Sequence, residues 1–358
     1  MSIIAWNRYP LVSQNTQARS WLLLQTNLAS NTIDAYGRAL NDYLAFCARC
    51  EIVPAAATNE HISLYVSDLT SRPHKLNANV CPPNSSPGLS NATLQQRLTA
   101  VRLFYDYLVE EGVRGVNPVG RGRYTPGKGF SGKRDRGLIP RYRKLPWLPT
   151  EEEWRKVLEA ARSEPIRNRL MLAMSYDAGL RREELCSLTT SDLDPAHQLI
   201  TIRAETTKSR QSRVVPYSTS TAALYAAYLQ ERRAMTRSSG PLFLSISRRN
   251  RTLPISIWTW SKVVRGIALS SGVARFTTHT PRHLCLTDLA RAGWDIHEIA
   301  TFAGHRSTQT TLLYIHLSGN DLAQKLQQGM TAIHSWRMEA LSELFDENQE
   351  ACDGVRED

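Results

Sequence analysis

Four segments after residue 175 carry the residue types that chemistry at a phosphodiester requires. They are Tyr176-Asp-Ala-Gly-Leu-Arg181-Arg-Glu-Glu184-Leu, Thr207-Lys208-Ser209-Arg210, His279-Thr-Pro-Arg282-His283, and Ala303-Gly-His305, with Tyr314 nine residues after His305. Transesterification at phosphorus passes through a pentacoordinate state with extra negative charge on the non-bridging oxygens. Preorganised cationic donors stabilise that charge, each by a factor on the order of 10²–10³ in rate. Arginine suits the task, because its planar fork holds two oxygens and stays charged. Arg181 and Arg282, with the imidazoles of His279 and His305, would make such a cradle. The Tyr314 phenol is a candidate nucleophile whose phosphotyrosine product conserves the bond energy. The departing 5′-alkoxide is strongly basic and needs a proton, a role for Lys208.

Taken singly, these residues have duller readings. Arg181 is a surface helix residue with Arg182 beside it, Lys208 is one charge in a basic hairpin with Arg210 and Arg213, and Tyr314 is core packing. Together, the segments resemble the signature of the tyrosine recombinase (phage integrase) family: Arg, Lys, His-x-x-Arg, His or Trp, and Tyr, in that order. The Gly-Leu-Arg phrase, a Glu three residues after the first Arg, a Val-Val-Pro strand and Gly-His nine residues before Tyr complete the match. Glu184 is expected to orient the first-arginine region from one helical turn away, and His283 and His316 to support the motif from beside it. Two positions depart from the pattern, Pro281 and Ala303, where an apolar residue and leucine are usual. Thr280 as N-cap with Pro281 first in the helix tolerates the former.

The resemblance implies a mainly α fold with a small β-hairpin or sheet, an α+β catalytic domain joined to a helical, SAM-like core-binding domain as a clamp around DNA. It implies a site-specific recombinase of the integrase or transposon type, working through a 3′-phosphotyrosyl intermediate and a Holliday junction without metal, ATP or other cofactor. The implied partners are double-stranded DNA bearing recombination sites, three further copies in a homotetramer, and accessory recombination proteins. Rival readings are a type IB topoisomerase or an Xer-like resolvase, a metal-dependent nuclease, and a DNA-binding regulator with a decayed site. The nuclease needs a carboxylate cluster, and Glu183, Glu184, Asp192 and Asp194 have no acidic partners at the later motifs. A decayed site would have lost one of the six residues, and all six are present.

The elements that must position these residues fall into two groups. Residues 15 to about 118 read as helical. Ser30 or Asn31 would cap a helix with the stripe Ile33, Tyr36, Leu40, Tyr43, Leu44 and Cys47, and Thr58 one through Leu64, Tyr65 and Leu69. Ser90 or Asn91 would start a helix through Leu94, Leu98, Val101, Phe104, Tyr105 and Leu108, ended by Gly112. This gives a core-binding domain over 1–118, and a start near residue 15 leaves little room for a further DNA-arm domain. A linker rich in Gly, Pro and basic residues covers 119–149. Thr150 with Glu153 forms a capping box opening the catalytic domain, 150–336, on the face Trp154, Val157, Leu158 and Ala161. Strands are expected at Gln198–Arg203 and Ser212–Tyr217, then helices at about 219–235, 255–270, 281–292, 295–303, 307–316 and 320–336. The last of these usually docks on a neighbouring subunit in the family.

Charge adds to this organisation. The 358 residues carry 44 Lys and Arg against 33 Asp and Glu, a net +11 that favours a polyanionic partner. Nine basic residues and one acid lie between Arg121 and Lys144, so Arg121, Arg123, Lys133, Arg134 and Arg136, with Arg210 and Arg213, are expected to bind DNA. The tail, 337–358, is acidic. No apolar run reaches the ~20 residues of a membrane span, and the first residues have no signal-peptide core, which predicts a cytoplasmic, nucleoid-associated protein. Cys47 and Cys50 form a lone C-x-x-C without the second pair a zinc site needs, so no metal is expected.

Overall fold

In the computed structural model, which describes residues 4–72, 89–120, 139 and 145–317 with side chains as far as Tyr314, helices start earlier than the sequence pattern suggests. Pro10 opens α1 (Pro10–Gln14), and the Asn15 side chain accepts from the Ala18 N–H to cap α2 (Thr16–Leu24). Next comes α3 (Ser30–Arg49), which buries Ile33, Leu40, Tyr43, Leu44 and Cys47 as its stripe demands, with Phe46 added. Ala29 stands at its N-cap, so Ser30 and Asn31 are helical residues and not caps. In α4 (Asn59–Ser71), Thr58 and His61 cap each other reciprocally, and Ile62, Tyr65 and Leu69 face inward. Leu64 is 52% exposed because it sits one residue off that face. Ser90 caps α5 (Asn91–Glu110), and Gly112, at φ +70°, ends it.

The chain divides between Lys144 and Leu145 into two compact units. The first has its own core around Trp21, Tyr43, Tyr65, Phe104 and Tyr105. Val119 and Ile139, expected in a coreless linker, are buried in that core. Burying an apolar side chain of this size contributes roughly 1.5–3 kcal/mol, so both residues add to the stability of the first unit.

The second unit opens with α6 (Glu151–Ala161), capped by Thr150 and Glu153. It continues with α7 (Ile166–Asp177), which the sequence pattern does not reveal. This helix buries Arg167, Asn168 and Ser175 together with Leu170, Met171, Leu172 and Met174, so it has no polar face to give a periodic signal. A short α8 (Arg182–Cys186) leads to an antiparallel three-stranded sheet, β1 (Leu193–Asp194), β2 (Leu199–Ile202) and β3 (Arg213–Pro216), in the order β1-β2-β3. Ile200 pairs with Val215 and Ile202 with Arg213. Five helices follow: α9 (Thr219–Met235), α10 (Ile257–Ser270), α11 (Thr280–Arg291), α12 (Ile296–Ala303) and α13 (Thr308–Leu317). Thr280 does not cap α11 as expected. Its hydroxyl turns back to accept from the Thr277 N–H at 3.0 Å, and the cap position falls to His279. The expected helix at 320–336 and the acidic tail lie outside the described residues. No described helix is long and apolar enough to cross a membrane.

Candidate active site

The C-terminus of α12 organises the site. Helix ends leave carbonyls without helical partners, and their aligned dipoles favour cations. Here three successive carbonyls each take a different guanidinium. Arg213 Nε donates to Phe302 O at 2.9 Å, Arg282 Nη2 to Ala303 O at 2.7 Å, and Arg181 Nη2 to Gly304 O at 3.2 Å. Gly304 makes this possible by turning left-handed at φ +63°, while the His305 N–H closes the helix on Ala300 O at 2.9 Å. A Cβ at position 304 would stand 2.9 Å from Arg213 Nη1, so the Gly of the Gly-His phrase is required both for backbone conformation and for space.

Glu184 ties two of these arginines together from below. It is 1% exposed, takes the Arg181 backbone N–H at 2.9 Å and Nη1 at 2.8 Å, and pairs through both oxygens with Arg213 at 3.1 and 2.7 Å. Burial alone would raise its pKa, but Arg213 and then Arg181 overcome this and hold the carboxyl down to about 2. Arg213 was expected to touch DNA. The structure instead buries its side chain to 7% exposure and directs its guanidinium to Glu184 and Phe302 O, so it braces the site internally.

Arg282 is 4% exposed; its other arm donates to Gly179 O, in the turn between α7 and α8. Desolvation, then repulsion from Arg181, lowers its pKa to about 10, which leaves it charged at neutral pH. It also donates to His305 Nε2 at 3.1 Å. Because a guanidinium only donates, Nε2 is the acceptor, and the neutral ring carries its proton on Nδ1, 2.9 Å from Thr311 Oγ1. Burial and the charges of Arg282, Arg181 and Arg213 hold His305 down to about 3. In this geometry His305 is a neutral strut, in contrast to the cationic donor the sequence suggests.

The phenol of Tyr314 lies within this cluster. Its ring is parallel to that of His305, with centroids 6.0 Å apart and planes 5° apart, and its hydroxyl is 2.9 Å from His283 Nδ1. Tyr314 is 4% exposed, and burial raises its pKa while Arg282 and Arg181 pull it down. His283 is half-buried; burial, then His279 and Arg282, lowers it to about 4. His279, at the N-cap of α11, is exposed at the rim, where desolvation outweighs the attraction of Glu183 and lowers its pKa.

Lys208 is exposed at the tip of the β2–β3 loop. Its neighbours Thr207 and Ser209 are 5% and 6% exposed, and the Thr207 hydroxyl bridges Ala204 O at 2.9 Å and Gln211 at 3.1 Å. The loop is thus pinned on either side of a lysine that points out. Arg210 is exposed in the same turn at φ +54°. Arg121, Arg123, Lys133, Arg134 and Arg136, as well as the His316 side chain, lie outside the described residues.

Three features escaped the sequence reading. Thr311 fixes the His305 tautomer. Arg182 pairs with Glu183 at 2.6 Å, donates to Ser261 Oγ at 3.2 Å and lies over the ring of Trp258, which is 69% exposed. The turn between Leu244 and Pro254 presents exposed Arg248, Arg249 and Arg251, a basic run visible in the sequence but not singled out. Among the described residues, no group of three His, Cys, Asp or Glu side chains is placed to hold a metal ion.

Known proteins resemble this chain in sequence and in fold. Residues 148–320 match the phage integrase family, and residues 20–112 its N-terminal SAM-like domain. The chain is 30% identical over 311 residues to a tyrosine recombinase XerD of Caulobacter vibrioides, covering 84% of this chain and 90% of that one. A XerD of Oceanobacillus iheyensis is 27% identical over 304 residues, 83% of this chain and 91% of its own. The fold resembles the XerH site-specific recombinase bound to a palindromic difH substrate, with a TM-score of 0.65 and 18% identity over 91% of this chain and 87% of that one. It also resembles the Tn1549 transposon integrase in complex with a circular intermediate DNA, with a TM-score of 0.62 and 15% identity over 86% and 94%.

Proposed function

The chain belongs to the phage integrase family as a tyrosine recombinase, and from that premise we propose that Tyr314 is its nucleophile, attacking a DNA phosphate to leave a 3′-phosphotyrosyl link and a free 5′-hydroxyl. The observation that carries this reading is the Tyr314 hydroxyl at 2.9 Å from His283 Nδ1, with its ring stacked on His305, which Arg282 holds beside the end of α12. Arg181 and Arg282 bind the non-bridging oxygens, and His279 faces the phosphate from the rim. Lys208, on its pinned loop, protonates the leaving 5′-oxygen. The phosphotyrosine keeps the energy of the broken bond, so rejoining needs neither ATP nor a metal-bound water. Two cycles of this exchange, through a Holliday junction in a homotetramer on paired recombination sites, complete recombination. The solved relatives named above carry DNA, which supports duplex DNA as the substrate, handled in the cytoplasm.

Tyr314→Phe removes one hydroxyl and should leave folding and DNA binding intact. On a nicked suicide duplex carrying the sequence this chain selects from a randomised library, the parent should form a covalent adduct on a denaturing gel and the variant none. An adduct of undiminished yield would place the nucleophile elsewhere.

A further inference from the structure

We propose that His283 is the group that accepts the Tyr314 proton as the phenol attacks phosphorus. The proposal rests on the reading of Tyr314 as nucleophile and goes a step deeper into the same site. His283 Nδ1 is 2.9 Å from the Tyr314 oxygen, hydrogen-bond distance from the proton that must leave. The two rings are 5.8 Å apart at 33°, and with Tyr314 only 4% exposed the phenol has little contact with bulk water as an alternative acceptor. The other imidazole beside the phenol, His305, already receives Arg282 on Nε2 and is paired with Thr311 through Nδ1. Both of its nitrogens are therefore engaged, and His283 is the base in reach.

The phenolic O–H electron pair becomes the nucleophile, the O–P bond forms, and the proton passes to Nδ1 of a ring protonated on Nε2, giving an imidazolium. The P–O5′ bond breaks, and that oxygen takes its proton from Lys208. On rejoining, His283 returns its proton to the phenol. The charged and titratable groups around the pair are Arg282 and Cys285 on α11, His279 at its N-cap, His305 after α12, and Arg181 before α8; α7 contributes Tyr176, bound to Asp288. Arg282 and His279 are among the groups that keep His283 a weak base. A phosphate seated on Arg282 and Arg181 offsets that positive charge and strengthens the base, so proton removal is coupled to substrate arrival.

Asparagine separates holding from proton transfer, because its amide oxygen can replace Nδ1 as an acceptor but cannot take a proton. On the nicked duplex, His283→Asn should bind DNA as the parent does, yet cleave slower by a factor on the order of 10² or more. A fluorinated tyrosine at position 314, with a more acidic phenol, should recover most of that loss in His283→Asn but not in Arg181→Ala. Parental cleavage by His283→Asn, or no recovery with the acidic phenol, would overturn the assignment. A second measurement needs no His283 variant. In the otherwise unaltered chain, the acidic limb of the pH–rate profile should stay in place when position 314 is fluorinated, because it reports the base. A limb that moves down with the phenol would show that the phenol ionises unaided. An adduct from Tyr314→Phe would instead sink the nucleophile reading itself.

Discussion

Arg213 and Glu184 illustrate how a charged side chain near a DNA site can serve the protein and not the DNA. If Arg213 only braces the site, Arg213→Ala should leave DNA affinity and its salt dependence unchanged while lowering the rate of cleavage. A flatter salt slope would return Arg213 to the DNA interface. Glu184→Gln leaves two guanidiniums without their carboxylate and should cost about 3–5 kcal/mol of stability. The carboxyl is depressed to about 2 in the fold, so its contribution is present above the ordinary carboxyl range near pH 4.5. It fades as pH falls from there toward 2. The melting difference between parent and Glu184→Gln should narrow over that window; a constant gap would mean that the pairing does not set it. Lys208 allows a different test. If it is the general acid, Lys208→Ala should lose on the order of 10²–10⁴ in rate on ordinary DNA, and recover on DNA whose 5′-bridging oxygen is sulfur, a group that departs without a proton. Equal defects on both substrates would move the acid away from Lys208, with His279 at the rim the next to test. At this scale the sequence names Arg181, Lys208, His279, Arg282, His305 and Tyr314 as candidates. It does not reveal which arginine faces inward, because the Glu184–Arg213 pair joins residues 29 apart.

Elements were legible where one face is polar. The boundaries of α9 are read directly, Thr150 and Glu153 announce α6, and β2 and β3 fall within the two runs read as strands. α7, which has no exposed face, gave no such signal, and the two-residue β1 is too short to show a period. The end of α12 depends on Gly304 more than on any periodicity. Gly304→Ala places a Cβ against Arg213 in a left-handed backbone, at an intrinsic cost of roughly 1–2 kcal/mol. Since the Phe302, Ala303 and Gly304 carbonyls each hold an arginine, cleavage should fall further than this modest loss of stability accounts for. Compare the fall in single-turnover cleavage with the shift in melting temperature. A variant that cleaves at the parental rate would show that the guanidiniums do not depend on that turn.

Across the whole molecule, basic residues are clustered and not evenly spread. Within the net +11, nine basic residues and one acid fall between Arg121 and Lys144, while the tail is acidic. Replacing Arg248, Arg249 and Arg251 with glutamine should weaken binding to specific and random duplexes alike, and flatten the salt dependence by up to ~0.9 log units per lost phosphate contact. An unchanged slope would take this turn out of the interface. The same assay applied to Lys133, Arg134 and Arg136 tests the run in the connecting segment. The covered position of Tyr314 also bears on the cell that houses the protein. A chromosome offers millions of phosphodiesters, and a phenol open to all of them would scatter nicks wherever the protein happened to rest. On the proposed assignment of Tyr314 as nucleophile, an inward-turned hydroxyl makes genome damage depend on how often the site opens and not on how often the protein meets DNA, so sequence fidelity would begin with concealment before any base is read.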